Sequence, residues 1–541
     1  MDSILFDCVK EVTPKLNPLL ADGFAYEQMK MTEHYIDRVW KSVAESFVPG
    51  LEYCGYRRLE PWEEFDISVS KKTANSKNNK ASFDIARSDF YMVEYIFKYN
   101  GVKLKPRHVL LPFVEPGGYI TIGGGKFVIA PVLADKVFSI GLDNIFTKLL
   151  RDKIIFKKVD YQIVVNGEKT VATVIHSRIY NVPATKKVKA TVRCEPTIAH
   201  YLFCKYGVTK TFELFCGFTP VIGDHTLEAN IPDKDNWVIC KTTGVKPRTY
   251  GKRMHETPNV YLAVPKDKWT NEVRDIVAGF FYVVDHFPTR IKHTPNYYDD
   301  TKLWIILLGS IYLSENVATG NLYNDFQPHI ESLDSYIDTI VAEDLGDLGY
   351  HIKDVYQLFF LMIQMYTKWM INNSDDLATM YGKQLQVLYY VLMDITKAIF
   401  TTHFSIKATL KNRGILTERL IEDALKRGIR TGLIYGLNSS HGEVMSVSSP
   451  GDNKAFKVTS MLVPQQKSTK GPRGKDRGPV DDPTKVLHAS IAEVGGYVNI
   501  TKKEATGRSR LNLCVKLDPK GSILRDPRFV DMIDKAQELI K

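Results

Sequence analysis

The stretch Glu115–Ile129, EPGGYITIGGGKFVI, combines glycines with a lysine and could in principle cradle a nucleotide phosphate. Such a cradle needs a strand before the glycines and a helix after them, because the helix N-terminus holds the phosphate. The residues after Gly125 are instead β-branched and aromatic and are broken by Pro131, which predicts a second strand. Two strands joined by glycines form a hairpin, in which glycine supplies the positive φ of the turn. The sequence therefore favours a hairpin over a nucleotide site here.

Two basic clusters near the end of the sequence have the residue types that contact a nucleic-acid backbone. The first lies in the Gly/Pro-rich stretch QQKSTKGPRGKDRGP and comprises Lys467, Lys470, Arg473, Lys475 and Arg477. The second comprises Lys502, Lys503, Arg508 and Arg510. A Gly/Pro-rich loop can follow a backbone without presenting a rigid helix, so we expect contacts to phosphate rather than reading of base edges. The alternative is that each cluster is a solvated polar loop.

Charge is segregated along the chain. Residues 301–350 hold one lysine against eight acids, whereas residues 401–480 hold fourteen Lys/Arg against six acids. Such a reversal indicates separate acidic and basic surfaces, and the basic one could face a polyanion. The seven cysteines are odd in number and form no C-x-x-C pair, which supports neither a disulfide scaffold nor a zinc module. A reducing cytoplasm is the simplest setting.

Motifs for self-contained catalysis are missing. The sequence has no G-x-S-x-G, no H-E-x-x-H and no G-x-G-x-x-G that opens a helix. His351, His403 and His441 have no ligand spacing around them, and we interpret them as ordinary core or surface histidines. We assign no catalytic residue, metal ligand or bound cofactor to this chain.

Hydrophobic patterning predicts an α+β protein with several domains, since 541 residues exceed one core. Residues 1–60 are predicted to be largely helical, and residues 104–200 to form short strands. Helices are predicted to dominate 301–430, including KQLQVLYYVLMDITKAIF as one amphipathic helix and TERLIEDALKRG closed by Gly428 in the manner of a C-cap. The basic stretches that follow are predicted to be extended loops.

The segment Leu111–Ile140 resembles the early signature of the β subunit of multisubunit RNA polymerases. That family reads Leu/Ile-Pro and then Gly-x-Phe-x-Ile-Asn-Gly-x-Glu-Arg/Lys-Val. The positions that match it without a gap are Pro112, Gly118, Ile122, Gly124 and Val128. Gly123 replaces the family's asparagine, and Lys126 replaces its glutamate.

Later segments resemble the same family in the same order. Lys302–Leu313 is similar to its Leu-x-x-Leu-Gly-x-Met segment, and Leu416–Gly432 to the amphipathic helix before the fork. Residues 465–513 resemble the fork loop and the Glu-Thr-Pro-Glu-Gly element that follows it. Glu504 and Gly507 fall on the first acid and the glycine of that element, which the resemblance implies is near the active centre.

The resemblance covers only the first part of the family's β subunit, which continues through further segments. This division is similar to that of giant, nucleus-forming bacteriophages, whose β chains are split in two. The resemblance implies β-rich protrusion-like (1–140) and lobe-like (141–324) domains, a helical return of the protrusion (325–445) and a loop-rich fork region (446–541). It also implies that other chains supply the catalytic groups: a C-terminal β-like chain, and β′-like chains that hold Mg²⁺. Further partners implied are the DNA template, the RNA–DNA hybrid and a promoter-recognition subunit.

On this resemblance the chain is a subunit of a DNA-directed RNA polymerase that is not catalytic alone. It would act in the cytoplasm of an infected bacterial cell, and the sequence leaves open whether the enzyme is also packaged in the virion. The alternative from another class is a non-catalytic DNA-binding phage protein of the virion or of a replication scaffold.

Overall fold

The computed structural model describes the chain in segments. They are residues 17–21, 23–67, 90–122, 125–129, 131–140, 143–150, 153–179, 195–231, 234–243, 260–286, 297–312, 318–372, 379–431, 444–446, 462–464, 490, 495–496, 508–511 and 515–525. Helices and antiparallel sheets both occur throughout these segments, which confirms the α+β multidomain fold.

The chain divides into two compact units, and the second is inserted into the first. The first unit comprises residues 1–136 and 376–541, and the second comprises residues 137–375. The finer division into protrusion-like, lobe-like, return and fork segments stays a prediction.

A four-stranded antiparallel sheet begins the first unit. Its strands are Leu51–Arg58, Phe90–Tyr99, Val102–Lys103 and Arg107–Pro112. The strand Phe90–Tyr99 pairs with the other three and buries most of its side chains, as its aromatic and β-branched composition favours. The helix Thr32–Ala44 packs on this sheet through Trp40, whose ring lies 4.9 Å from that of Phe97 in an edge-on contact.

The hairpin predicted around the glycines is confirmed. Strand Tyr119–Ile122 pairs antiparallel with strand Gly125–Ile129, with Ile122 opposite Gly125. A third short strand, Val444–Ser446, pairs with the other edge of Gly125–Ile129. A separate ladder joins Val132–Asp135 to Lys383–Gln386.

Three local predictions for the first unit are wrong. Residues 51–58 form a strand, although the sequence predicts residues 1–60 to be largely helical. The stretch KQLQVLYYVLMDITKAIF begins as the strand Lys383–Gln386 and becomes helical only from Leu388. Gly428 is the last residue of its helix rather than a left-handed cap beyond it, and Ile429 is the cap.

Glycine at 428 has a packing reason. A Cβ built there would lie 1.7 Å from Oγ1 of Thr402 on the neighbouring helix, so only glycine lets the two helices approach this closely.

The helices and C-terminal strands of the first unit are Pro18–Ala21, Phe24–Met29, Thr32–Ala44, Leu388–Val391, Met393–Arg413, Glu418–Gly428, Leu462–Pro464, Gly495–Gly496, Arg508–Leu511, Lys516–Leu517 and Ile523–Leu524. Residues 61–67 are also helical.

The second unit is built on a seven-stranded antiparallel sheet. Its strands in spatial order are Val221–Gly223, Tyr261–Pro265, Trp237–Thr242, Lys153–Val165, Asn144–Lys148 and Phe138–Ile140, with Glu168–Ile179 also paired to Lys153–Val165. The two long strands form a hairpin in continuous register from Ile154–Ile179 to Val165–Glu168. Asn166 and Gly167 at its turn have φ of 48° and 89°, which suits a two-residue turn of type I′.

Helices cover this sheet, and one of them is almost wholly buried. They are Ile198–Tyr206, Val208–Cys216, Leu227–Asn230, Asn271–His286, Thr301–Tyr312, Thr319–Leu333, Thr339–Asp347 and Val355–Asn372. The helix Ile198–Tyr206 buries seven residues in a row and contacts five other helices of the unit. Among the described residues, no helix is both long and apolar enough to cross a membrane.

Candidate nucleic-acid interface

Three short strands near the C-terminus form one antiparallel sheet that flanks the basic clusters. Leu462–Pro464 pairs with Arg508–Leu511, which also pairs with Gly495–Gly496. In this register Pro464 lies opposite Arg508, and Leu462 lies opposite Arg510. The strand Leu462–Pro464 also contacts the strand Val132–Asp135, so the sheet is attached to the body of the first unit.

Only two of the predicted nucleic-acid contacts fall within the described residues. Arg508 and Arg510 occupy alternate positions of the strand Arg508–Leu511. The remaining residues predicted to contact nucleic acid or to lie near the active centre are outside the described residues: Lys467, Lys470, Arg473, Lys475, Arg477, Lys502, Lys503 and Glu504.

The chain on the C-terminal side of the clusters is fastened to the first unit through Gly521. Its carbonyl accepts a hydrogen bond from the Leu385 amide at 2.8 Å. A Cβ at Gly521 would lie 2.3 Å from the Leu385 carbonyl oxygen and 2.7 Å from Cζ of Phe24. Its φ of +93° also favours glycine. The hairpin of Lys516–Leu517 and Ile523–Leu524 is therefore seated where no other residue fits without movement.

Further bonds hold the segments around the clusters. The Ser490 hydroxyl, which is buried, accepts a hydrogen bond from the Met380 amide at 2.9 Å. The Asn17 side-chain amide donates to the Val515 carbonyl at 2.7 Å. Sequence reasoning did not identify these anchors, because each depends on a partner more than one hundred residues away that no local pattern reveals.

The glycines before the hairpin serve close packing. A Cβ at Gly23 would lie 2.7 Å from the backbone of Gly117, and a Cβ at Gly118 would lie 3.0 Å from that of Ala25. The turn before Tyr119 therefore packs directly on the start of the helix Phe24–Met29. Because Gly125–Ile129 is a strand bonded on both edges, this stretch has no helix N-terminus to receive a phosphate.

Buried carboxylates occur in the second unit, and each has protein partners. Asp285 accepts hydrogen bonds from the Tyr161 hydroxyl and, at 2.7 Å, from the Thr242 hydroxyl. Burial raises the pKa of Asp285 to about 6 against the opposing effect of these bonds. Asp275 accepts from the Thr173 amide at 3.0 Å, and burial likewise raises its pKa to about 6. These contacts join the helix Asn271–His286 to the sheet, which is a structural role.

The histidines noted in the sequence behave as ordinary residues where they are described. His403 is buried, with its Nε2 3.3 Å from the Ser46 hydroxyl and its ring stacked on Phe47. His351 is exposed. His441 lies outside the described residues. In the part of the chain that the structure describes, no group of three His, Cys, Asp or Glu side chains could hold a metal ion.

Comparison with known proteins decides the family. A family model described as non-virion RNA polymerase subunit matches residues 7–538, nearly the whole chain. The chain belongs to the non-virion RNA polymerase subunit family. No curated protein matches this polymerase subunit. As a subunit of an RNA polymerase it is part of a nucleotidyltransferase complex that contains other polymerase subunits and acts on nucleic acid.

Membership of an RNA polymerase subunit family indicates what the basic clusters near the C-terminal three-stranded sheet would contact. RNA polymerase subunits work against DNA and RNA. Along the sequence, the first basic cluster follows the strand Leu462–Pro464, and the second cluster ends within the strand Arg508–Leu511. Since phosphate contacts by Lys and Arg supply most sequence-independent affinity, this sheet is the best candidate for a nucleic-acid interface in the chain.

Proposed function

We propose that this polymerase subunit is the N-terminal part of a β-like subunit that forms one jaw of the DNA cleft and the fork loop. One observation carries the proposal: residues 137–375 form a unit inserted between the two halves of the first unit. The β-subunit resemblance implies a similar order along the chain, a lobe-like domain inserted in a protrusion-like domain that is completed by a later helical return, although it starts that return at 325 and the inserted unit runs to 375. The family match favours this role over a virion or replication-scaffold protein.

The fork loop would lie at the small basic sheet. Lys467 is three residues beyond Pro464, so covalent geometry limits their Cα atoms to about 11 Å apart. Pro464 is in turn the ladder partner of Arg508, and paired Cα atoms lie about 5 Å apart. The first cluster would therefore begin beside the end of the second, and together they would follow one stretch of phosphate backbone. Glu504, between Lys503 and Arg508, would lie near the active centre.

Bond formation would belong to the partner chains. In the assembled enzyme the RNA 3′ hydroxyl would attack the α-phosphate of the incoming nucleotide and pyrophosphate would leave, and metal ions held by partner chains would supply stabilisation of the charge. Carboxylates of a β′-like chain would hold the Mg²⁺, and lysines of a C-terminal β-like chain would contact the nucleotide. This chain would position template and hybrid. The enzyme would act in the cytoplasm of the infected cell, which the non-virion description of the family supports.

The β-like assignment is tested by purifying the polymerase through a tag on this chain. We expect equal amounts of a chain that carries the β′ aspartate motif and of a second β-like chain, and we expect no primer extension by the isolated subunit. Nucleotide incorporation by the isolated subunit would refute the assignment. So would a different chain of the complex whose sequence matches the N-terminal half of β.

The fork assignment is tested by changing Lys467, Lys470, Arg473, Lys475 and Arg477 to alanine in the assembled enzyme. Each lost contact to a duplex phosphate reduces the slope of log affinity against log salt by about 0.9, so five contacts give a reduction of about 4–5. Template binding is measured between 50 and 200 mM salt. Arginine at positions 467, 470 and 475 is the matched control, because it keeps the charge and should keep the slope. An unchanged slope in the alanine variant contradicts the assignment.

A further inference from the structure

One short segment of the first unit, residues 380–386, is hydrogen-bonded along both of its edges, and we call it the anchoring segment. It consists of a single helical turn followed by the strand Lys383–Gln386. One edge of this strand pairs with Val132–Asp135. On the other edge the Leu385 amide donates to the Gly521 carbonyl at 2.8 Å. The anchoring segment therefore lies between an early strand of the chain and the C-terminal hairpin.

The described stretches that border the two basic clusters along the chain are all attached at this segment. Pro464 precedes the first cluster, and its strand contacts Val132–Asp135, which is paired to the anchoring segment. Ser490 lies between the clusters and accepts a hydrogen bond from the Met380 amide at 2.9 Å. The hairpin that contains Gly521 follows the second cluster. Each cluster thus belongs to a stretch of chain whose two ends are held at the same place.

The bonds at this place are shielded from water. Met380 is 4% exposed, Ser490 is 3% exposed and Leu385 is fully buried. The hairpin is itself closed by Asp518, whose carboxylate accepts from the Ser522 amide at 2.6 Å. Since a buried amide that loses its acceptor is costly, these bonds favour one arrangement of the anchoring segment and its attached chain.

Holding the ends of both stretches at one place favours the binding of a polyanion. Several cations bind one phosphate backbone together only when they lie near one another. Fixed ends restrict how far apart the two clusters can move, so less conformational entropy is lost on binding. Each cluster also raises the effective concentration of phosphate at the other.

We propose that the anchoring segment positions the nucleic-acid interface, and that Ser490 and Gly521 are positioning residues that act through it. Neither residue has to touch nucleic acid for this role. The inference rests on the proposed contact between the two basic clusters and nucleic acid, and its tests separate failure of the positioning role from failure of that contact.

Hydrogen exchange in the assembled polymerase, with and without duplex template, tests the coupling in the parent enzyme. Energetic coupling between two sites is reciprocal, so template bound at the clusters should stabilise the anchoring segment. We expect the Met380 and Leu385 amides to exchange at least about threefold more slowly with template. Because both residues are buried, the template does not slow their exchange by covering them. Amides of the strand Leu51–Arg58, in another sheet of the same unit, should exchange as before.

Template affinity gives a second readout through a double-mutant cycle. S490A removes the hydroxyl that accepts from the Met380 amide, and it should weaken template binding about two- to tenfold, as loss of one hydrogen bond can. In a background with alanine at all five cations of the first cluster, S490A should have a smaller effect, because the two changes act on one contact. S46A removes a hydroxyl elsewhere in the first unit and should bind template normally.

The outcomes distinguish the two levels of the inference. Unchanged exchange at Met380 and Leu385, or an equal effect of S490A in both backgrounds, overturns the positioning role. If the five-alanine variant itself binds template with unchanged affinity and salt dependence, the nucleic-acid assignment fails, and the positioning role fails with it. The exchange measurement uses the parent enzyme, so it decides the question even if S490A does not assemble.

Discussion

Replacing Gly521 by alanine tests whether the C-terminal hairpin is seated as described. Gly521 combines two demands: its φ is +93°, and its missing Cβ leaves room for the Leu385 carbonyl and the Phe24 ring. An L-residue forced into positive φ costs about 1–2 kcal/mol. Overpacking a well-filled site costs about 1–3 kcal/mol more. We therefore expect G521A to lower the free energy of opening this contact by about 2–5 kcal/mol.

Gly55 offers a matched control in the same unit. Its φ is +101°, but nothing lies within 4 Å of a Cβ built there. G55A should therefore carry the backbone strain alone, about 1–2 kcal/mol. The difference between the two variants isolates the steric contribution of Leu385 and Phe24, about 1–3 kcal/mol.

Hydrogen exchange at the Leu385 amide is the local measurement, because that amide donates to the Gly521 carbonyl at 2.8 Å. Exchange follows the free energy of local opening, so 2–5 kcal/mol corresponds to about 30- to several-thousand-fold faster exchange in G521A. In G55A the amide should exchange almost as in the parent chain, because Gly55 lies in a different sheet. If G521A leaves the exchange of Leu385 within about twofold of the parent, the described seating of the hairpin is wrong.

Two further substitutions test buried groups. Asp338 caps the helix Thr339–Asp347 by accepting from the Ile340 and Val341 amides at 2.9 and 3.0 Å, and burial raises its pKa to about 7. Because the folded pKa lies above the unfolded value, Asp338 contributes most stability at low pH and loses it as pH rises from about 4 to 7. D338N, which keeps a capping oxygen, should therefore become more stable than the parent chain between pH 5 and 8, by up to about 4 kcal/mol of unfolding free energy measured in urea. If the difference in unfolding free energy between D338N and the parent does not change with pH, this reasoning is wrong. G428A should lose about 1–3 kcal/mol of unfolding free energy in urea, because its Cβ meets Thr402. The double variant G428A/T402A should recover part of that loss. Purely additive effects of the two substitutions would show that the two helices do not meet there.

Hairpins are visible in local patterns, because both the turn residues and the two strands lie within a short stretch, and the hairpin at Gly123–Gly125 was predicted on this basis. Asn166-Gly167 lies between two β-branched runs, and the strands pair in register on either side of it. The run before Gly123 and the run after Gly125 likewise pair as predicted. In each case the partner strand is the next one along the chain.

Prediction was wrong where the deciding partner is distant. The stretch Lys383–Gln386 is a strand because it pairs with Val132–Asp135, about 250 residues earlier, and no local periodicity shows this. Gly428 was predicted to be a helix C-cap, whereas glycine is required at this position because a Cβ would clash with Thr402 on another helix.

The ladder between Val132–Asp135 and Lys383–Gln386 has a consequence for how such a chain can change over time. Asp135 lies opposite Lys383, so the residues that lead into and out of the second unit are hydrogen-bonded neighbours. Along the chain, residues 137–375 connect two paired strands of the first unit, as the loop of a β-hairpin does. Loop closure depends only weakly on loop length once the ends are held together. The insert could therefore grow, shrink or be exchanged between related phages while the strands that flank it keep their register.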